Sequence, residues 1–461
     1  MTNLIDDIAG IVGANGVLTG DDVSARPASW IRPDPCRAKA VVRPQTTEEV
    51  AAVMRLCHAA KQVVVPAGGT TGLVDGAAAG EDDILLSLER MNTVEELDET
   101  GCTITVQAGV ALQTVQERAA ESDLLFPVDF GARGSAQIGG AIATNAGGNS
   151  VIRYGMMREQ ILGLEAVLAD GTVVSSMNRL LKNNAGYDLK QLFIGTEGTL
   201  GIVTRAVLRL RPALRSQNTA FVAVDDYKNV PVLLKHLGSA LGGTLSAFEV
   251  LWQDFYDIVV VNRDKHVAPV EAGHPWYVLI EARGGEQDQD EARFQAALEA
   301  ALEQELIVDA AFASGAKQRD AMWAIRDDVE GIAEMLWPIM AFDISLPIAA
   351  AADYTAQVNG RLKERWPDTF RGTTFGHLGD NNVHFILTVG TMDPGELRGV
   401  MEIVYEELLP YQGSISAEHG IGLEKRPFLG ISRNETELAL MKTLKQTLDP
   451  QGVLNPGKVF Q

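Results

Sequence analysis

Two histidines, His377 and His384, bracket the segment HLGDNNVH, while Glu418 and His419 stand together in SAEHGIG. Three of the chain's seven histidines therefore fall in two short motifs. If Asp380-Asn381 forms a two-residue hairpin turn, Gly379 opposes Asn382 and His377 opposes His384. Directly opposed strand residues share one face with Cβ atoms about 4.5–5.5 Å apart, close enough for two imidazoles to hold one ion. The same spacing also suits two surface histidines that merely face each other. Arg326, in MWAIRDDVE, offers a planar two-pronged donor suited to a carboxylate, and equally a helical position for a salt bridge with Asp327 or Glu330.

A second chemistry is written in glycine. Residues 126–155, FPVDFGARGSAQIGGAIATNAGGNSVIRYG, hold seven of the chain's 45 glycines, over twice the average density. Glycine lets another group approach peptide N–H atoms closely, which suits a bound phosphate. A surface loop would carry polar filler, whereas this stretch interleaves Ile138, Ala141, Ile142, Ala143 and Ala146. It reads as a buried, ligand-cradling segment. PAGGTTG at 66–72 follows the apolar run 63–65, a strand-to-loop change in which Gly68, Gly69 and Gly72 can present successive N–H groups. No GxGxxG occurs, which argues against a Rossmann dinucleotide site. GVLNPGK at 452–458 nearly spells a phosphate loop, but Val459 stands where a Mg²⁺-binding Ser or Thr belongs and Pro456 has no N–H to donate.

Length and composition set the frame. A chain of 461 residues, 46% of them hydrophobic, can bury ample core and suggests two or three domains. A formal charge of −22 opposes binding to nucleic acid or anionic membrane surfaces. Cys36, Cys57 and Cys102 form no CxxC pair and leave one odd, so a disulfide framework or cysteine metal site is not indicated. The start, MTNLIDDIAGIVG, carries aspartates where a signal peptide needs basic residues, and no run approaches a membrane span. A cytoplasmic protein without an integral membrane segment is the expectation.

Elements that must position these residues follow in order. Helices are predicted over 3–16 and 46–61, strands over 63–65, 84–88 and 103–106, and a helix over 111–121. Strands 161–168 and 172–175 flank the turn signal Asp170-Gly171. Beyond 213–217 the pattern changes to strands 219–224, 245–250, 276–282, 306–312, 338–345, 370–376 and 383–389, with helices near 228–241, 288–304, 317–336, 349–365 and 394–409. This is α+β in character, the second part antiparallel.

Together, PAGGTTG, the glycine-rich stretch and YDLKQLFIGTEGTLG at 187–201 resemble the FAD-binding domain of the vanillyl-alcohol oxidase superfamily. HLGDNNVH and SAEHGIG narrow the resemblance to the FAD-dependent D-lactate and D-2-hydroxyglutarate dehydrogenases and glycolate oxidase flavin subunits. It covers the chain from about residue 36 and, after an N-terminal helical segment at 1–35, implies an FAD-binding domain at 36–214, an antiparallel substrate (cap) domain at 215–412, and a C-terminal segment at 413–461 that returns to the flavin. FAD contacts are implied for Pro66, Ala67, Gly68, Gly69, Thr70, Thr71, Gly72 and Leu73. They continue through Pro127, Asp129, Gly134, Ser135, Ile138, Gly139, Gly140, Ala143, Thr144, Asn145, Gly147, Gly148, Tyr154 and Gly155. The set closes with Glu197, Gly198, Gly201, Ile202, Val203, Asn455 and Lys458.

The resemblance assigns His377, His384 and Glu418 to a divalent metal, zinc first with manganese or iron as alternatives. His419 becomes the catalytic base and Arg326 the partner of a substrate carboxylate. It implies oxidation of a D-2-hydroxy acid to the 2-oxo acid by hydride transfer to flavin N5. Electrons would pass to a carrier other than O₂, such as an electron-transferring flavoprotein or a quinone-linked carrier, with a homodimer left open. A metal-independent flavin oxidase and a non-catalytic electron relay are the alternatives. His58, His236, His266 and His274 lie outside the glycine-rich loops and Cys102 is poorly placed, so the FAD is expected to be noncovalent. Three departures stand out: Asn381 replaces a glycine of the family hairpin, and Glu330 and Ala341 occupy positions where D-2-hydroxyglutarate enzymes carry a threonine and a lysine.

Overall fold

A computed structural model describes residues 4–29 and 34–460, so residues 1–3 and 30–33 of the expected N-terminal segment, and Gln461 of the expected C-terminal segment, lie outside the described residues. The fold is α+β, and the chain divides into two compact units, one of residues 1–148, 154–213 and 418–461, the other of 149–153 and 214–417. The N-terminal segment thus belongs with the first unit. The last passage between units falls after Ala417.

The first unit carries two principal sheets. In the smaller, Ala40–Val42, Ile84–Ser87 and Val64–Ala67 run parallel, with Val17–Leu18 antiparallel at one edge. Residues 453–455 join it beside Val64, whose N–H donates to the Val453 carbonyl at 2.7 Å while the Asn455 N–H returns to the Val64 carbonyl at 2.8 Å. The larger sheet is antiparallel, ordered Val94–Asp98, Thr103–Gln107, Ile202–Arg209, Ile161–Val167, Val173–Ser176. Helix Thr47–Ala60 begins where Thr46 accepts the Glu49 N–H at 3.2 Å, and it ends on left-handed Lys61. It buries Val50, Val53, Met54 and Cys57 in a core shared with Ile8 and Val12 of the first helix, Leu4–Val12. That helix stops before residue 16 because Gly13 turns to φ 76°.

The second unit is one seven-stranded antiparallel sheet, ordered Asp309–Phe312, Ser216–Val224, Trp276–Gly284, Leu245–Trp252, Arg371–Gly376, Asn382–Thr388, Met340–Ser345. One face packs Phe221, Leu251, Tyr277, Leu279, Phe375 and Ile386 against Met322, Ile325, Ile332 and Leu336. The last four lie on Ala316–Arg326 and Val329–Leu336, two helices where the sequence predicts one over 317–336. The break is a capping event without proline: Asp328 accepts the Gly331 N–H at 3.1 Å and is held by Lys265 and His266 at 2.9 Å each. It leaves Arg326 as the last residue of the first helix, buried at 8% exposure. Among the described residues no helix is long and apolar enough to cross a membrane.

Asp254, on a short helix beside Arg371–Gly376, accepts from the Thr373 hydroxyl at 3.0 Å. Burial pushes its carboxyl from 3.8 up to about 6, despite that bond. A raised folded-state pKa means that stability present below about pH 4 is lost as pH rises through 6. Asp254→Asn keeps the acceptor oxygen without the charge. It should therefore unfold about 3–6 °C above the parent at pH 7.5, with the gap closing at pH 4. A variant less stable than the parent at pH 7.5 would refute this.

Candidate active site

The glycine motifs converge in the first unit. Strand Val64–Ala67 delivers the loop 68–72, and the loop lies directly against the 126–155 stretch: a Cβ on Gly69 would sit 1.9 Å from the Ser135 carbonyl oxygen. No larger residue permits that approach. The stretch is not all loop, because Ile138–Thr144 is a short helix that buries Ile138, Ala141 and Ile142 and ends on left-handed Asn145. Between these segments lies a cavity of about 380 Å³. Its walls include Pro66, Ala67, Gly68, Gly69, Thr70, Thr71, Gly72, Leu73, Gly139, Gly140, Ala143, Thr144, Gly147, Glu197, Gly198, Gly201, Ile202 and Val203. Glu418 and His419 line the same cavity.

Other expected contacts lie off the wall among the described residues. Pro127, Asp129, Gly134, Ser135, Ile138, Asn145, Gly148, Tyr154 and Gly155 build the stretch behind it. Asn455 and Lys458 brace the opposite side, the first through Nδ2 to the Gly76 and Glu197 carbonyls at 3.3 and 2.7 Å, the second through Nζ to the Ala78 carbonyl at 2.9 Å. Gly76 and Ala78 are themselves wall residues, as are Asp75 and Gln137, which the motifs do not mark. Glu197 ties the cavity to the C-terminal segment by accepting the N–H groups of Ile421 and Gly422 at 2.7 and 2.8 Å. Burial raises its carboxyl pKa in spite of those bonds. A glycine-walled cavity with the side-chain oxygen of Gln137 buried and unbonded fits a nucleotide cofactor that brings both phosphates and ring donors.

The imidazole pair lies on the second unit's sheet, but not in the predicted register. Phe375 opposes His384, and the Asn382 N–H donates to the His377 carbonyl at 3.2 Å, so His377 faces Asn382. Residues 378–380 form a 3₁₀ turn and Asn381 takes the left-handed conformation at φ 74°. The turn is therefore two residues longer than Asp380-Asn381 alone. Because side chains alternate, a shift by two keeps both histidines on one face, now as diagonal neighbours. Their rings are perpendicular with centroids 5.2 Å apart. Gly379 is needed in this turn, since a Cβ there would lie 2.5 Å from Ile152 Cδ1.

Around the pair runs a row of ionisable groups that the motifs alone do not mark. The pairing of Val250 with Gly376, continued by one residue, sets Glu249 opposite His377. Glu249 is 1% exposed; its Oε1 accepts from His377 Nδ1 at 2.7 Å and its Oε2 from Arg326 Nε at 2.9 Å. Burial alone would raise its pKa, but the neighbouring His377 and the Arg326 guanidinium outweigh that and hold it at about 2. Arg326 also donates to Asp327 at 3.2 Å and lies over the Phe375 ring. Asp343 stands opposite His384 on the neighbouring strand, and its Oδ2 accepts the Ala417 N–H at 3.2 Å. Glu418 is the next residue in the chain. Ala341 shares the face of Asp343 and is exposed, as is Glu330 on its helix. A lone acid inside the apolar strand LSAFEVLW was the available signal for Glu249.

Two family models match: "FAD binding domain" over residues 38–176 and "FAD linked oxidases, C-terminal domain" over 213–459. The chain is 36% identical to a D-2-hydroxyglutarate dehydrogenase of Stutzerimonas stutzeri, over 99% of this chain and 98% of that one. It is also 36% identical to the mitochondrial D-2-hydroxyglutarate dehydrogenase of Bos taurus, over 99% and 83%. Identity is 37% to a Schizosaccharomyces pombe protein named as a putative mitochondrial D-lactate dehydrogenase, over 97% and 88%. In fold it is similar to p-cresol methylhydroxylase (TM-score 0.76, 15% identity, 99% and 96% covered) and to alkyldihydroxyacetonephosphate synthase (0.76, 16%, 98% and 85%).

Proposed function

Since the chain belongs to the FAD-dependent D-2-hydroxy acid dehydrogenases of the vanillyl-alcohol oxidase superfamily and is an oxidoreductase, we propose that it converts a D-2-hydroxy acid to the 2-oxo acid with noncovalent FAD and a divalent metal. One observation carries the reading: Glu418-His419 lines the same cavity as the glycine loops. A residue able to take a proton thereby stands beside the walls suited to FAD.

FAD, when bound, would supply the acceptor for the C2 hydride, and His377, His384 and Glu418 would hold a metal, zinc being the first choice, that would supply acidification of the substrate hydroxyl. His419 receives the hydroxyl proton as general base. Arg326 pairs with the substrate carboxylate and orients C2. Two imidazoles and a carboxylate are a donor set suited to Zn²⁺, Mn²⁺ or Fe²⁺. The electron acceptor is a carrier other than O₂, an electron-transferring flavoprotein or a quinone-linked carrier. A cytoplasmic location agrees with three free cysteines.

His419 is the only histidine on the cavity wall, and no cysteine lies there among the described residues. Acid precipitation should therefore release all the yellow colour as FAD, whereas colour kept in the pellet would show a covalent tether. The reaction itself is tested by mixing the oxidised protein anaerobically with D-lactate, D-2-hydroxyglutarate and other 2-hydroxy acids. Bleaching by one of them is expected. Failure of all to bleach would leave the electron relay, and bleaching unaffected by complete metal removal would leave the metal-independent oxidase.

A further inference from the structure

We propose that Glu249 is a positioning residue that sets, through one carboxylate, both the tautomer of His377 and the placement of the Arg326 guanidinium. This rests on the reading above, in which His377 is a metal ligand and Arg326 holds the substrate carboxylate. The argument is one of donors and acceptors. A carboxylate only accepts and a guanidinium only donates. Glu249 Oε1 lies 2.7 Å from His377 Nδ1, so that nitrogen carries the proton. Arg326 Nη2 lies 3.0 Å from His377 Nε2 and 3.4 Å from Nδ1, and with Nδ1 donating to Glu249 the nearer nitrogen, Nε2, is the one that accepts. The carboxylate contact thus assigns the tautomer, with Nε2 as the atom able to bind a cation once the guanidinium turns to a substrate carboxylate. The second oxygen of the same carboxylate receives Arg326 Nε at 2.9 Å. At 1% exposure, Glu249 has no water to replace either partner.

Glutamine at this position can satisfy only one of the two. If its oxygen serves Arg326, its amide nitrogen donates to His377 Nδ1 and drives the proton to Nε2, removing the metal-binding lone pair. If its oxygen serves His377, its amide nitrogen meets the Arg326 Nε–H as donor against donor, and the guanidinium shifts. Either arrangement damages one function and spares the FAD cavity walls, which do not include Glu249.

The test uses full-length flavoprotein stripped of metal and titrated with Zn²⁺ against a chromophoric chelator, followed by steady-state kinetics at saturating Zn²⁺. Parent, Glu249→Gln and His384→Ala are compared, the last as a ligand-loss control. Glu249→Gln should keep its FAD and either bind Zn²⁺ about 10–100-fold more weakly or raise KM at least tenfold. Unchanged Zn²⁺ affinity and unchanged KM, even with a lower kcat, would overturn the inference while the metal reading stands. A parent that binds no Zn²⁺ would overturn both, and His384→Ala would then match the parent. Should Glu249→Gln not fold, Glu249→Asp retains the charge but is about 1.5 Å too short to reach both partners; the same losses are expected, and parent-like values would be equally fatal.

Discussion

Replacing His419 by glutamine should leave FAD and metal in place and lower turnover by about 10²–10⁴-fold, the usual scale for loss of a general base. The substitution removes a proton acceptor without removing a wall. His419 lines the cavity from a segment whose next residues are held by backbone bonds: Glu197 accepts the Ile421 and Gly422 N–H groups, and the Leu423 N–H donates to the Val74 carbonyl at 2.9 Å. None of these uses the imidazole, so the segment's course survives the change. His377→Ala should behave differently and lose the metal. Visible absorbance for FAD, metal analysis and kcat, measured on both variants, separate the roles. A His419→Gln enzyme turning over like its parent would remove His419 from the mechanism.

Local signals were legible in the sequence where neighbours along the chain decide the structure. Thr46 with Glu48-Glu49 announces its helix, and PAGGTTG announces the change from strand to loop that follows Ala67. The hairpin shows a subtler case. Asp380-Asn381 reads as the whole turn, yet a 3₁₀ turn through 378–380 with left-handed Asn381 closes it instead, two residues wider. The histidines still meet, because a period of two is blind to an even shift. A shift by one would have sent them to opposite faces.

Contacts between distant residues were not legible. Asp328 breaks the helix expected over 317–336, but the partners that make it a strong cap, Lys265 and His266, lie some sixty residues earlier. The pairing of residues 453–455 with Val64 spans most of the chain. Glu249 belongs to the same class. Its acid in an apolar strand invites a question that only His377 and Arg326, brought beside it by the sheet register and the helix break, can answer.

Substrate choice tests what those three residues leave undecided. The enzyme should prefer a monocarboxylic D-2-hydroxy acid with an apolar side chain over D-2-hydroxyglutarate by roughly 30-fold in kcat/KM, about 2 kcal/mol. In the proposed reading Arg326 and the metal ligands would serve the α-carboxylate and hydroxyl that every candidate shares, so they would not discriminate. Discrimination falls to the distal end. Ala341, on the face of Asp343 and His384, offers no cation, and Glu330 adds an anion. Glu330 is exposed, so its repulsion is screened and contributes the lesser part; the larger part is a distal carboxylate desolvated without a partner. Met335 and Trp337 are exposed on the segment that joins the Glu330 helix to strand Met340–Ser345, and they suit an apolar side chain. The counterargument is Arg319, two turns before Arg326 on one helix and close to the same face. It lies 3.2 Å from Asp320, which already partners its charge. The measurement is kcat/KM for D-lactate, D-2-hydroxyisocaproate, D-mandelate and D-2-hydroxyglutarate with one artificial acceptor, in the parent and in Arg319→Ala. A clear lead for D-2-hydroxyglutarate that Arg319→Ala abolishes would make Arg319 the distal cation and reverse the prediction.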